Sequence, residues 1–207
     1  MARNGNITTL FLDIGGVLLT NGWDRQARIK AIQQFNLDGE EVNERHHLTF
    51  DTYEVGKLSL EDYLNRVIFY DKRSFTKKDF KEFMLAQSQQ LPDMVDYIKK
   101  IKQEYGLKVT AVSNEGRELT EHRIKKFKLY ELFDSFVASS FVHFRKPDID
   151  IFKIALDVSQ ALPGNVVYID DRHMFVEVAG TIGIKGIHHT SFESTKEKLS
   201  EFGFSLK

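Results

Sequence analysis

Short apolar strands alternate with helical patterns along the second half of the chain, where the helices centre on Arg123, Ile154 and Val178. The predicted strands are Lys108 to Val112, Ser135 to Ala138, Asn165 to Ile169 and Gly186 to His189. Alternation of this kind produces right-handed crossovers and a parallel sheet that is covered by helices on both faces. A further strand lies in the apolar stretch Thr8 to Leu19, and we expect it to join the same sheet.

The segment between this first strand and Pro92 carries helical patterns only. Asp24 to Phe35 has apolar residues at helical spacing, and Ser59 and Thr76 each stand three residues before an acid at the start of an amphipathic run. The sequence therefore predicts a core formed by residues 1–19 and 92–207, and an all-helical domain of residues 20–91 inserted after the first strand.

Composition limits the kinds of partner. The chain has 207 residues, 42% of them hydrophobic, which is enough for one sizeable core with an insertion. A net charge of −1 provides no broad field for nucleic acid or anionic lipid, so we expect a small-molecule partner. The absence of Cys excludes disulfides, thiolate metal ligands and Cys nucleophiles.

Targeting signals are not expected either. Met1 to Asn6 is short and polar, and no apolar run is long enough to span a bilayer. Together with the lack of Cys, this is compatible with a soluble, cytoplasmic protein that has no membrane partner.

Polar residues follow four of the predicted strands. Taken singly, each has an ordinary explanation as a turn, a surface lysine or a helix cap. In an open parallel sheet, however, ligands bind outside the carboxyl ends of the strands, so the four clusters are best interpreted together. They are Asp13, the pair Ser113-Asn114, Lys146 within Arg145-Lys-Pro-Asp, and the pair Asp170-Asp171.

Together these residues supply the parts of a phosphoryl-transfer site, which needs an anionic nucleophile, a divalent metal and cationic or dipolar groups around the transferred oxygens. Asp13 and Asp170 are candidate Mg²⁺ ligands. Lys146 would offset the repulsion between the Asp13 carboxylate and an incoming phosphate. The Ser113 hydroxyl and backbone N–H groups at Asn114 would hold the non-bridging oxygens.

The same pieces, in the same order, resemble the motifs of the haloacid dehalogenase-like hydrolase superfamily, in particular a helical-cap branch similar to sugar-phosphate phosphatases. The matching stretches are Asp13-Ile-Gly-Gly-Val-Leu, Val112-Ser-Asn, Arg145-Lys-Pro-Asp and Tyr168-Ile-Asp-Asp-Arg. The resemblance implies a Rossmann-like core with a helical cap and Asp13 as the nucleophile that forms an aspartyl-phosphate. It also implies Mg²⁺ held by Asp13, the Gly15 carbonyl and Asp170, with Asp171 supporting the metal shell.

One position departs from that pattern. Phosphatases of this family usually carry a second Asp two residues after the nucleophile as the general acid and base, and this chain has Gly15 there. General acid–base catalysis contributes a factor on the order of 10² to 10⁴, so the loss matters for esters with poor leaving groups. Glu115, His46 and His47 are the candidate replacements, although residues of these kinds in a turn or on a cap helix are usually exposed.

Two other interpretations concern side chains on helices. The basic run Arg123 to Lys128 is interpreted as a solvated helix face. The aromatic residues of the insert either line a closed site or form the core of the insert, and the second is the commoner use; they are Trp23, Phe50, Tyr53 and Phe69.

Three functions are compatible with these residues. The leading hypothesis is a Mg²⁺-dependent phosphomonoesterase, monomeric or homodimeric, that acts on a small phosphate ester such as a sugar phosphate. The first alternative is a metal-independent 2-haloacid dehalogenase, which the adjacent Asp170 and Asp171 disfavour because two acids beside a nucleophilic carboxylate need a cation. The second is a binding or regulatory protein that kept the fold and lost turnover at Gly15.

Overall fold

A computed structural model describes residues 7–206, so the prediction for Met1 to Asn6 lies outside the described residues. The described chain contains a five-stranded, all-parallel sheet in the order β3-β2-β1-β4-β5. The strands are β1 (Thr9–Leu12), β2 (Lys108–Ser113), β3 (Ser135–Ala138), β4 (Val166–Asp170) and β5 (Lys185–His188). The predicted α/β class and the predicted strands are confirmed; β3 has the predicted ends, and the ends of β2, β4 and β5 differ from the prediction by at most one residue.

Four helices follow β1 and form what we call the helical insert, residues 20–91. They are α1 (Arg25–Gln34), α2 (Gly39–Glu54), α3 (Leu60–Val67) and α4 (Lys77–Ala86). The predicted helix starts are confirmed, because the Ser59 side chain accepts a hydrogen bond from the Asp62 N–H, and Thr76 and Asp79 form a reciprocal capping box.

Six helices accompany the sheet. They are α5 (Pro92–Tyr105), α6 (Arg117–Lys126), α7 (Ser139–Val142), α8 (Ile149–Ser159), α9 (His173–Gly180) and α10 (Phe192–Glu201). Gly106 ends α5 in a left-handed conformation, which a residue without Cβ adopts easily. None of the helices within residues 7–206 has both the length and the apolar character of a bilayer span.

Helices bury both faces of the sheet because successive side chains of a strand point to opposite sides. Leu10 and Leu12 of β1 pack in one cluster with residues of α5 and α10. Phe11, between them, packs in another cluster with residues of α8 and α9. Burial of all four β1 residues therefore leaves only the strand ends for chemistry.

The helical insert has its own hydrophobic cluster, which includes Trp23, Tyr63 and Phe80. Leu119 of α6 belongs to the same cluster and joins the insert to the rest of the protein. The insert and the rest of the protein also approach each other closely at two glycines. A Cβ at Gly56 would overlap the Ser140 carbonyl oxygen, and a Cβ at Gly116 would overlap the Tyr53 ring.

The interpretation of Arg123 to Lys128 as a solvated face is wrong for Arg123. Lys125, Lys126 and Lys128 are exposed, but the Arg123 side chain is only 1% exposed and forms an ion pair with Glu115. A helix places residues two apart, such as Arg123 and Lys125, on different faces, so one basic run contains both a solvated surface and a buried charge.

Replacing Gly56 by Ala is expected to destabilise the protein by more than about 1 kcal/mol, because the new Cβ meets backbone at a positive φ of 72°. Gly164→Ala is the matched control, since a Cβ there meets nothing within 4 Å, and its effect should lie within about 0.5 kcal/mol. Urea denaturation of both variants measures the difference. Equal stability of the two variants would contradict the close approach of insert and core.

Candidate active site

The side chains of Asp13, Lys146 and Asp170 meet at the carboxyl ends of β1 and β4. The Lys146 ammonium Nζ lies 3.2 Å from Asp13 Oδ1 and 2.6 Å from Asp170 Oδ2. Backbone pairing brings the two carboxylates together, because the Asp13 N–H donates to the Ile169 carbonyl at 2.9 Å. Lys146 is 1% exposed and Asp170 is fully buried, so the ion pair between these two residues is shielded from bulk water.

The charges in this cluster depend on one another. Burial raises the pKa of the Asp13 carboxyl to about 6, although the Lys146 ammonium acts in the opposite direction. Burial alone would lower the pKa of Lys146, but the two carboxylates outweigh it and raise that pKa above its usual value. Lys146 is therefore a permanent cation beside Asp13.

Asp170 is fixed from several sides. Its Oδ2 accepts hydrogen bonds from the Tyr168 hydroxyl and from Lys146, and its Oδ1 accepts one at 2.7 Å from the Arg172 N–H. Burial, followed by the Asp170 charge, raises the pKa of Tyr168 well above its usual value, so Tyr168 remains a hydrogen-bond donor. The orientation of the Asp170 carboxylate is thus set before any ligand binds.

Asp13, Asp170 and Asp171 offer carboxylate oxygens that lie within 4.8 Å of one another. The Asp13 Oδ1 atom is buried, and the Lys146 ammonium at 3.2 Å is its ion-pair partner. A Cβ at residue 16 would overlap the Asp171 carboxylate, so Gly16 leaves space for that group. Hard oxygen donors in a compact set suit Mg²⁺, and these residues therefore fit the ion. Gly15, whose carbonyl is the fourth candidate ligand, is buried two residues after Asp13.

A cavity of about 600 Å³ opens beside this cluster. The core contributes Asp13, Asn114, Lys146 and Asp171 to its wall, and the helical insert contributes Trp23, Phe50 and Glu54 among others. Acidic, basic and aromatic groups from two parts of the chain thus face one space, as in sites for small polar ligands.

Ser113 and Asn114, at the end of β2, are placed differently from each other. Asn114 lines the cavity, and its side-chain amide exchanges two hydrogen bonds of 2.8 Å with the Lys146 backbone. Ser113 is buried and is not among the lining residues. The clearest contribution of Asn114 in this structure is to fix the backbone that carries Lys146.

Glu115 lines the same cavity, and the expectation that it would be exposed is wrong. The residue is 7% exposed, and its Oε1 lies 2.7 Å from Arg123 Nη1. Burial raises the pKa of Glu115 to about 7, and the Arg123 guanidinium only partly offsets this effect. Glu115 precedes α6 and its partner Arg123 lies near the end of that helix, a pairing that no local sequence pattern indicates.

Neither His46 nor His47 lines the cavity. The His46 ring Nδ1 lies 2.8 Å from the Tyr63 hydroxyl, and burial, together with the nearby Arg28, lowers the pKa of His46 to about 3. His47 is exposed. The first histidine is therefore held neutral and the second faces solvent, so neither is placed to exchange a proton in the cavity.

The four aromatic residues all belong to the core of the helical insert, as the commoner interpretation predicted. Tyr53 is buried and stacks on Tyr63 with ring centroids 5.0 Å apart, and Phe69 packs against the same cluster. Trp23 and Phe50 serve both purposes, since they also line the cavity.

Polar contacts join the insert to the core at the cavity edge. The Arg145 side chain pairs with Asp51 and, at 2.8 Å, with Glu54 Oε2, both on α2. The Ser139 hydroxyl donates to the Glu54 carbonyl at 2.7 Å. Burial raises the pKa of Glu54 to about 7 despite the Arg145 charge.

Comparison with solved structures places this architecture among known folds. A HAD family enzyme from Bacteroides thetaiotaomicron, solved in complex with magnesium and inorganic phosphate, superposes with a TM-score of 0.75 at 21% identity, over 88% of this chain and 93% of that one. An L-2-haloacid dehalogenase superposes with a TM-score of 0.63 at 15% identity, over 87% and 83% of the two chains. Both likenesses concern the fold.

Two characterised relatives match in sequence. A phosphorylated carbohydrates phosphatase of Thermotoga maritima is 29% identical over 132 residues, and a drimenol cyclase of Aspergillus calidoustus is 28% identical over 204 residues. These matches cover 64% and 95% of this chain but only 56% and 37% of the relatives. A family model, described as haloacid dehalogenase-like hydrolase, matches residues 30–188. The chain therefore belongs to the haloacid dehalogenase-like hydrolase family.

Proposed function

We propose that the protein is a Mg²⁺-dependent phosphomonoesterase that acts on a small phosphorylated metabolite, such as a sugar phosphate, through an aspartyl-phosphate on Asp13. The observation that carries this proposal is the buried Lys146 ammonium, which lies within 3.2 Å of Asp13 and within 2.6 Å of Asp170 beside a cavity. An anionic nucleophile beside a fixed cation is what attack on a phosphate dianion requires.

In the proposed reaction, an Asp13 carboxylate oxygen attacks phosphorus and the leaving-group oxygen departs with the electron pair of the broken P–O bond. Lys146 offsets the repulsion between the Asp13 carboxylate and the substrate phosphate. The proposed donors to the non-bridging oxygens are the Ser113 hydroxyl and the Asn114 backbone N–H, and of these two residues Asn114 lines the cavity. Water then releases the phosphate and regenerates Asp13.

The proposed metal ligands are Asp13, the Gly15 carbonyl and Asp170, with Asp171 supporting the shell. A bound Mg²⁺ would neutralise charge on the transferred phosphoryl group. The three carboxylates lie within 4.8 Å of one another, and Lys146 is the ammonium group that pairs with Asp13 and Asp170. This excess of negative charge favours a metal-dependent phosphatase over a metal-independent dehalogenase.

We further propose that the helical insert, residues 20–91, acts as a cap over the core formed by residues 1–19 and 92–207. Trp23, Phe50 and Glu54 of the insert line the cavity together with Asp13. The Arg145–Glu54 ion pair holds α2 against the core. A cap of this kind excludes water from the aspartyl-phosphate until the leaving group has departed.

One of the matched relatives and one structural neighbour support this choice. The matched phosphatase acts on phosphorylated carbohydrates, and a structural neighbour binds magnesium and inorganic phosphate. Since the chain spans 56% of the length of that phosphatase, its activity is transferred here as part of the proposal.

Mg²⁺ is expected to raise the melting temperature of the wild-type protein, because a ligand that binds only the folded state adds about 2.7 kcal/mol at 100 times its Kd. Asp170→Asn should lose most of this response. Asp150→Asn should keep it, because Asp150 is on α8 and pairs with Lys153 at the surface. Differential scanning calorimetry with and without EDTA measures the shift, and an unchanged response in Asp170→Asn would contradict the ligand assignment.

Wild-type protein with Mg²⁺ is expected to release phosphate from p-nitrophenyl phosphate and from at least one sugar phosphate. Asp13→Asn should reduce release from both to background, because an amide is not an anionic nucleophile. Asp150→Asn again serves as the control and should retain wild-type rates. Phosphate release is measured for the three proteins side by side. Equal rates for Asp13→Asn and wild type would contradict the assignment of Asp13 as the nucleophile. Dehalogenation of a 2-haloacid in the presence of EDTA would support the dehalogenase hypothesis instead.

A further inference from the structure

Two other residues fill the space that a side chain at residue 15 would need. A Cβ built there would lie 2.8 Å from Asn21 Oδ1 and 3.6 Å from Arg123 Nη1. An amide does not titrate and a guanidinium stays protonated, so neither group can exchange a proton with a leaving group near neutral pH. The position of residue 15 therefore offers no side chain that could act as the general acid.

Arg123 holds Glu115. The guanidinium Nη1 is 2.7 Å from Glu115 Oε1, while Nε donates to the Ser88 hydroxyl at 2.9 Å and Nη2 donates to the Thr20 carbonyl at 2.9 Å. The Glu115 backbone N–H donates to the Ser139 hydroxyl at 2.9 Å, which fixes the other end of the residue. Glu115 is thus held at both its backbone and its Oε1.

The second carboxyl oxygen of Glu115, Oε2, is buried and has no hydrogen-bond partner among the described residues. Glu115 as a residue lines the cavity that contains Asp13. Within residues 7–206, no hydrogen bond or ion pair joins Glu115 to Asp13, Asp170 or Asp171. The Glu115 carboxyl is therefore at the cavity and is paired with Arg123, not with the proposed metal ligands.

We propose that Glu115 is the catalytic acid and base that replaces the side chain absent at Gly15, with Arg123 as its positioning residue. This inference rests on the proposed phosphatase function. When the P–O bond to the leaving group breaks, the leaving oxygen takes the electron pair and the proton of the Glu115 carboxyl. Glu115 then accepts a proton from the water whose oxygen bonds to phosphorus, as the bond between phosphorus and Asp13 breaks.

The ionisation of Glu115 agrees with this role. Burial raises its pKa to about 7, so both the protonated and the ionised form are populated near neutral pH. Glu54 has a similarly raised pKa, but it belongs to the insert and its Oε2 is paired with Arg145. Glu54 is therefore the rival that the experiment must include.

The test compares three phosphate esters of similar shape whose leaving groups need a proton to increasing degrees: p-nitrophenyl, phenyl and benzyl phosphate. Glu115→Gln should reduce kcat/KM for p-nitrophenyl phosphate by less than about tenfold. For benzyl phosphate the loss should be on the order of 10² to 10⁴. Glu121→Gln, an exposed residue on α6, should keep the wild-type dependence on the leaving group.

The ratio of the benzyl and p-nitrophenyl rates within each variant is independent of the fraction of folded enzyme, so partial unfolding of Glu115→Gln does not affect the result. An equal loss for all three esters, no loss at all, or a selective loss in Glu54→Gln instead would overturn the role of Glu115. If wild-type protein with Mg²⁺ releases phosphate from none of the esters, the proposed function itself fails and the role of Glu115 fails with it.

Discussion

One buried ammonium group holds the candidate active site together. Lys146 Nζ contacts carboxylates that end two neighbouring parallel strands, and all three side chains lie at the edge where those strands stop. Buried ion pairs stabilise proteins poorly, because desolvation consumes most of the Coulombic gain. Without Lys146, Asp13 and Asp170 would repel each other in a buried site, and the Asp13 carboxylate would be harder to ionise. A contribution to stability therefore does not explain the arrangement, and the proposed mechanism assigns it a catalytic role instead.

A second buried ion pair, Glu115–Arg123, links this chemistry to the position of the helical insert. The Arg123 guanidinium binds Thr20 and Ser88, which lie in the two chain segments that connect the insert to the core. The same guanidinium lies beside Gly15 and holds Glu115 at the cavity. A change in either of these connecting segments would therefore disturb the orientation of the Glu115 carboxyl in the cavity. The close approach of Gly56 to the Ser140 backbone is a further contact between the helical insert and the core.

Much of this organisation was predictable from the sequence because it depends on local rules. Thr76 and Asp79 form the capping box that their spacing predicts. The proximity of Asp13, Lys146 and Asp170 was predictable because parallel strands end at one edge of a sheet.

Glu115 and Arg123 were not predictable in the same way. Each looked like a surface residue, and their burial depends on a pairing that forms only when α6 packs against the insert. A single charge in a basic run carries no local sign of a buried partner. The absence of Ser113 from the residues that line the cavity was not predictable either, because strand order alone does not tell which side chains at a strand end face the cavity.

The central claim is that Asp13 is phosphorylated during turnover. Its most direct test is acid quenching of wild-type protein during turnover of p-nitrophenyl phosphate with Mg²⁺, followed by mass spectrometry of the peptide that contains Asp13. We predict a peptide heavier by one phosphoryl group, with the modification on Asp13, and no such peptide from Asp13→Asn. Rapid phosphate release in the same samples without any modified peptide, or a modification on another residue, would contradict the account.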